Sequence, residues 1–119
     1  MSDYEKLEVW KTAHKLTLEI YMLTKKLPKE ELFGLLSQIR RAAISVESNL
    51  AEGESRYSKA DKIKFFIEAR SSGAEVETQL LIISDLYESL SDESSILRNK
   101  YKILGKQINS LINFRRQSQ

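Results

Sequence analysis

From Ser58 to Leu90 the sequence has no proline and a single glycine, and its apolar residues recur at gaps of three and four: Phe66, Ala69, Gly73, Val76, Leu80, Ile83, Tyr87 and Leu90. That period keeps one face of an α-helix apolar and does not fit the alternation of a half-buried strand. At 1.5 Å per residue the helix would be about 50 Å long. A second stripe lies beside the first: Ile63, Ile67, Arg70, Ala74, Glu77 and Leu81. A helix with so much apolar surface needs long partners on more than one side, and this requirement limits the fold more than any other feature.

The rest of the chain supplies those partners. Val9, Ala13, Leu16, Ile20, Leu23 and Leu27 form one stripe, Leu32, Leu36, Ile39, Ala43, Val46, Leu50 and Gly53 another, and Leu97, Tyr101, Leu104, Ile108 and Leu111 a third. The one proline, Pro28, cannot donate the backbone bond of a continuing helix and disfavours helical backbone at Leu27, so the first helix stops there. Gly53 marks the expected end of the second helix, Ser58 with Asp61 resembles a capping box at the start of the third, and Ser91 is the expected N-cap of the fourth. Small residues at Ala42, Ala43, Ser45 and Ala51 permit close helix approach. The predicted fold is all-α, an antiparallel up-down-up-down four-helix bundle, in one domain over residues 1–119 with helices at about 8–26, 30–53, 58–90 and 92–115. Residues 115–119 read as a polar, frayed tail. Phe65, Ile67, Leu81, Trp10 and Phe33 fall off or at the edges of the stripes, and leftover apolar surface of this kind points to a partner, most simply a second copy of the chain.

The chemistry available is narrow. Cysteine is absent, which removes thiol nucleophiles, disulfides and cysteine zinc sites. The N-terminal residues lack the apolar core of a signal peptide and no apolar run has membrane-spanning length, so a cytoplasmic protein without membrane association is expected. His14 is the only histidine and has no second ligand or carboxylate one turn away, so neither a metal nor a catalytic role is assigned to it. Glu75 and Glu77, two residues apart, face different sides of a helix. Without a phosphate loop or a nucleophilic triad, no enzyme activity and no cofactor are expected.

Charge is more informative in its distribution than in its total of +2. Ser71 to Ser95 holds six acidic residues and no basic one, and Ile96 to Gln119 holds six basic residues and no acidic one. Either the two neighbouring helices neutralise each other or the last helix forms a basic surface. A second basic group comprises Arg40, Arg41, Arg56, Lys59, Lys62 and Lys64, interleaved with Glu47, Glu54 and Asp61. With Arg115 and Arg116 these are the candidate nucleic-acid-binding residues. Asn49, Glu52, Arg70 and Glu77 sit on or beside apolar stripes and are candidates for holding helices or subunits in register. Arg70 and Glu77 are too far apart along one helix to pair, so Arg70 is expected to meet a carboxylate such as Glu52 or Glu77 of a neighbour; a solvated edge is the alternative.

Several segments, in order and spacing, resemble one bacterial family: LEVWKTAHKL at 7–16, SQIRRAAISVESNLAEG at 37–53, the SK at 58–59, and FFIEARSSGAEVETQL at 65–80. From Tyr4 to Phe114 the chain is similar to the 23S rRNA-intervening sequence proteins. That resemblance implies a four-helix bundle assembling into a ring of five subunits, with no enzymatic activity. A related branch, the accessory variability proteins of diversity-generating retroelements, implies a barrel that binds nucleic acid and a reverse transcriptase. Gln38, Arg40, Arg41, Asn49, Glu52, Arg70, Glu75 and Gln79 match the family pattern. Glu47 stands where the family has proline, residues 53–56 are less glycine-rich, and Gly73 replaces a larger residue; the first difference predicts a straighter second helix.

These features support three readings. The first is a non-enzymatic homo-oligomer, a pentamer on the resemblance, presenting basic residues to RNA or DNA. The second is a scaffold that binds another protein, and the third an enzyme with a site shared between subunits, lined by Glu77, Arg70 and Asn49.

Overall fold

The computed structural model describes residues 3–117; Ser118 and Gln119 of the expected tail lie outside them. Four helices form the body: α1 Glu8–Thr24, α2 Leu35–Ser55, α3 Lys59–Leu86 and α4 Ser91–Gln117. Short 3₁₀ turns precede α1 at Asp3–Lys6, lie between α1 and α2 at Lys29–Glu31, and join α3 to α4 at Glu88–Leu90. Each helix packs on its neighbour in the chain and α1 closes the square against α4. The result is a rod of 49 × 21 × 21 Å. Ser45 meets Ser72 and Glu54 meets Lys62 between α2 and α3, and Arg70 meets Asn109 and Ser84 meets Ser91 between α3 and α4. In each pair of contacts the numbers rise on one helix as they fall on the other, so these successive helices run antiparallel.

The stripes form one continuous core, with Ile20, Ile39, Val46, Leu50, Phe66, Val76, Leu80, Ile83 and Ile108 fully buried. Burying each such side chain contributes about 1.5–3 kcal/mol, so the stripes dominate the stability of the bundle. Leu32 is an exception at 51 % exposed, because α2 begins three residues after it.

The helix ends differ from the sequence expectations in five places, the first being α3, which stops at Leu86 and not at Leu90 because the backbone leaves the helical region at Tyr87 (φ −123°, ψ 89°). Residues 29–31 form a 3₁₀ turn instead of the first turn of α2, and the helix starts after Gly34. There the Glu31 carboxylate accepts the Leu35 backbone N–H at 3.3 Å and also the Tyr87 hydroxyl, tying the α1–α2 connection to the end of α3. Gly53 does not end α2, which continues to Ser55, and its φ is negative. Its reason is space: a Cβ there would lie 2.7 Å from Phe66 Cε1 and 3.1 Å from the Lys62 carbonyl oxygen. Ser91 has helical backbone, and its hydroxyl meets Ser84 at 3.0 Å instead of capping α4. Arg115 to Gln117 remain helical where fraying was expected. Ser58 does cap α3, accepting the Asp61 N–H at 3.1 Å. The second helix runs without interruption through Glu47.

Candidate nucleic-acid interface

Most of the basic residues named from the sequence are used inside the chain. Arg40 is half-buried at the C-terminal end of α1, where its Nε donates to Thr24 Oγ1 at 2.9 Å and a terminal nitrogen donates to the Tyr21 carbonyl at 3.3 Å. Its guanidinium also lies 4.2 Å from the centre of the Tyr21 ring. A cation there is favoured by the negative end of the helix dipole, and it shares the Tyr21 carbonyl with the Lys25 backbone N–H and the Thr24 hydroxyl. Arg56 pairs with Glu52 one turn back at 3.0 Å and lies over Phe65.

Lys62 and Arg115 converge on Glu54, a residue that sequence inspection treats only as a charge opposing the basic group. Arg115 grips both Glu54 oxygens, at 2.9 and 3.1 Å, and Lys62 donates to the Glu54 carbonyl at 2.8 Å with its ammonium 3.8 Å from the carboxylate. All three side chains are largely buried, so this cluster fastens the end of α2 to the start of α3 and the end of α4. Lys59 donates to the Arg116 carbonyl at 3.1 Å, reinforcing the same corner. Arg41, Lys64 and Arg116 are exposed, with no carboxylate within 4.0 Å among the described residues.

The register candidates divide. Asn49 donates to the Ser45 carbonyl at 2.8 Å and its hydroxyl at 3.0 Å, and Ser45 meets Ser72 at 2.8 Å, a short polar seam between α2 and α3. Glu52 is paired with Arg56, the residue just past the end of its helix, and does not reach Arg70. Arg70 is exposed and donates to Asn109 Oδ1 of α4 at 2.8 Å; within the chain its partner is an amide, not the expected carboxylate. Glu77 is half-buried on the wall of a hollow that also includes Arg70, Lys102 and Lys106.

The charge runs of α3 and α4 do not neutralise each other directly. Among the described residues no ion pair joins the two helices: Glu93 pairs instead with Lys26, just past the end of α1, at 2.6 Å, and Lys100 with Glu19 of α1 at 3.0 Å. Among the described residues, Arg98, Lys102 and Lys106 have no carboxylate within 4.0 Å and the buried Arg98 Nε has no hydrogen-bond partner.

Between α1 and α4 lies a different surface, a hollow of about 380 Å³ walled by Leu18, Met22, Leu23, Ile96 and Leu97 and bracketed by those two ion pairs. Leu18, Met22 and Ile96 are each more than half exposed, and Phe33, on the α1–α2 connection, is 90 % exposed.

His14 has a partner that local spacing could not reveal. Its Nδ1 lies 2.9 Å from Glu47 Oε2 across the α1–α2 interface, and its ring stacks on Trp10 at 5.1 Å. Two tyrosines sit in unusual surroundings. The hydrogen bond to Glu31, together with burial and the Glu31 and Glu30 charges, pushes the Tyr87 hydroxyl up to about 12. Burial pushes the Tyr101 hydroxyl higher still, with the Thr17 hydroxyl opposing and the Glu47 and Glu19 charges adding to it. Among the described residues there is no group of three or more His, Asp or Glu side chains placed to hold a metal ion, and no helix long and apolar enough to cross a membrane.

The fold has a solved counterpart. A crystal structure of a protein of unknown function from the S23 ribosomal protein family of Bacteroides thetaiotaomicron superposes with a TM-score of 0.79 at 21 % identity, covering 88 % of this chain and 95 % of that one. At that identity the likeness concerns the fold. No curated protein matches the sequence. The sequence pattern of one family does match, over residues 5–110, which is most of the bundle, and the chain belongs to the 23S rRNA-intervening sequence protein family.

Proposed function

We propose that this protein is a non-enzymatic, homo-oligomeric bundle that binds nucleic acid through the cations of α4. The observation that carries this reading is the state of those cations. From Ile96 onward α4 has basic residues and no acidic ones, and among the described residues only Lys100 and Arg115 of these have carboxylate partners. Cations without counter-charges exchange water and small ions for phosphates at little cost in lost protein contacts, and repetition around an oligomer would add their fields. The basic group around the start of α3 contributes less than its sequence suggests, because Glu54 and Glu52 occupy Lys62, Arg115 and Arg56.

Titration of labelled RNA and DNA at increasing salt tests the reading. Affinity should fall steeply and log-linearly with salt. Absence of binding at low salt, or indifference to salt, would refute it. A mass measurement in solution tests the oligomer, and a monomer would remove the ring.

The apolar hollow between α1 and α4 favours a second reading, a scaffold for a protein partner. A pull-down that survives nuclease treatment and is lost on Met22→Glu would support it.

A further inference from the structure

We infer that the trough between α3 and α4 is the track for the phosphate backbone of a single strand, and that this trough, not the basic corner where α2 meets α3, is where nucleic acid sits. The inference rests on the nucleic-acid reading above and gives it a place and a substrate class.

Two hollows adjoin along the outer seam of α3 and α4, of about 480 and 210 Å³, and share Asn99 and Lys102. Arg70, Lys102 and Lys106 line the larger and Arg98 the smaller. None of these four cations has a carboxylate within 4.0 Å among the described residues. The one acid on the walls is Glu77. Arg98, Lys102 and Lys106 are spaced four residues apart, so their Cα atoms climb α4 in steps of about 6 Å. This matches the repeat of a drawn-out nucleic-acid strand. Asn109 holds Arg70 from α4 at 2.8 Å, presenting its guanidinium from the opposite wall, and the buried Arg98 Nε lacks any acceptor among the described residues.

Shape selects among nucleic acids. Packed helices have axes about 8–10 Å apart, so a trough between them accepts one backbone. A duplex, whose major groove alone is about 12 Å wide, is too broad to settle into it. No aromatic side chain lines either hollow, so there is no stacking platform for bases. The contacts available are charge to phosphate and amide to sugar or base edge, which makes recognition insensitive to sequence.

The test uses the full chain, with short oligouridylate, oligothymidylate and a duplex of equal length as probes. Wild-type protein should bind both single strands more tightly than the duplex. The double variant Lys102→Glu with Lys106→Glu should weaken single-strand binding at least about tenfold at low salt and flatten the salt slope by about 1.4, at about 0.7 per lost phosphate contact. Arg41→Glu with Lys64→Glu should leave affinity within about twofold, because those cations lie outside the trough. Glu77→Gln should tighten binding, since it removes the one repulsive charge. Both lysines are exposed, and unchanged helical circular dichroism would confirm that the variant is folded. Equal affinity for the two single strands assigns the backbone alone; preference for oligouridylate adds contacts to the 2′-hydroxyl. If wild type binds with a steep salt slope but the Lys102/Lys106 variant is unaffected, or if the duplex binds best, the trough is overturned and the general reading stands. No binding by wild type removes both.

Discussion

The corner around Glu54 and the trough between α3 and α4 are both rich in basic residues, yet they differ in how the charge is held. At the corner a largely buried carboxylate joins Lys62 and Arg115, and Arg56 is paired with Glu52. In the trough Arg70, Arg98, Lys102 and Lys106 have no carboxylate partner among the described residues. One set of cations works as structure and the other is left to solvent or a ligand. A count of lysines and arginines along the sequence cannot separate them, because the deciding residue at the corner, Glu54, takes a partner 61 positions away.

The strongest way to test this contrast is to remove the carboxylate. Glu54→Gln leaves two poorly hydrated cations facing each other with only 14 % of the acid's side chain exposed in the native protein. A buried ion pair that loses one partner costs about 3–5 kcal/mol; partial exposure of Lys62 and Arg115 reduces that to about 2–3 kcal/mol here. Urea denaturation should show it. The same variant sharpens the comparison from the other side: Lys62 and Arg115 lie outside the trough, so its nucleic-acid salt slope should match that of wild type. An unchanged stability would mean that the corner is held by packing alone.

Gly53→Ala addresses the packing at that corner. The added methyl would press against Phe66, which is fully buried, and the Lys62 carbonyl, neither of which has room to withdraw. Overpacking of this kind costs about 1–3 kcal/mol, more than the roughly 1 kcal/mol that alanine gains over glycine in a helix. Gly73→Ala is the control from the middle of α3, where an added Cβ would have nothing within 4 Å. It should stabilise by about 0.5–1 kcal/mol. If both substitutions move the melting temperature in the same direction, the close approach of α2 to α3 at Gly53 is not what limits that position.

How much of this is legible in the sequence follows the range of each interaction. The helices and their buried faces are, because a stripe at three and four residues records burial directly, and Ala13, Leu16, Ile20, Val46, Phe66 and Leu104 all lie in the core where their stripes put them. Helix ends are less so. Glycine often ends helices, but Gly53 is there to admit Phe66, a contact between segments that only the folded bundle brings together. Ser91 has the composition of an N-cap, but the preceding 3₁₀ turn already carries helical backbone through it. The polar partners are least visible: Glu47 for His14, Asn109 for Arg70 and Glu54 for Arg115 all come from other helices, 33, 39 and 61 residues away. The register between helices decides such pairs, and one stripe does not specify it.

The smallest effect tests the trough end of the comparison. Lys102 lies between Arg98 and Lys106 on α4, each four residues away, and like charges at that spacing oppose a helix by about 0.2–0.5 kcal/mol per pair. Glu77 on the facing wall offsets part of this. Lys102→Gln should therefore shift stability by less than about 0.5 kcal/mol, toward the stable side, with the difference shrinking at high salt as the charges are screened. That sign is opposite to the one expected for Glu54→Gln, so the two variants measured together by urea denaturation at low and high salt separate cations that hold the bundle from cations that do not. A loss of more than about 1 kcal/mol at Lys102, an amount well above the usual ±0.5 kcal/mol of a free surface side chain, would show that this lysine also has a partner in the assembled protein and would close the trough as an anion track.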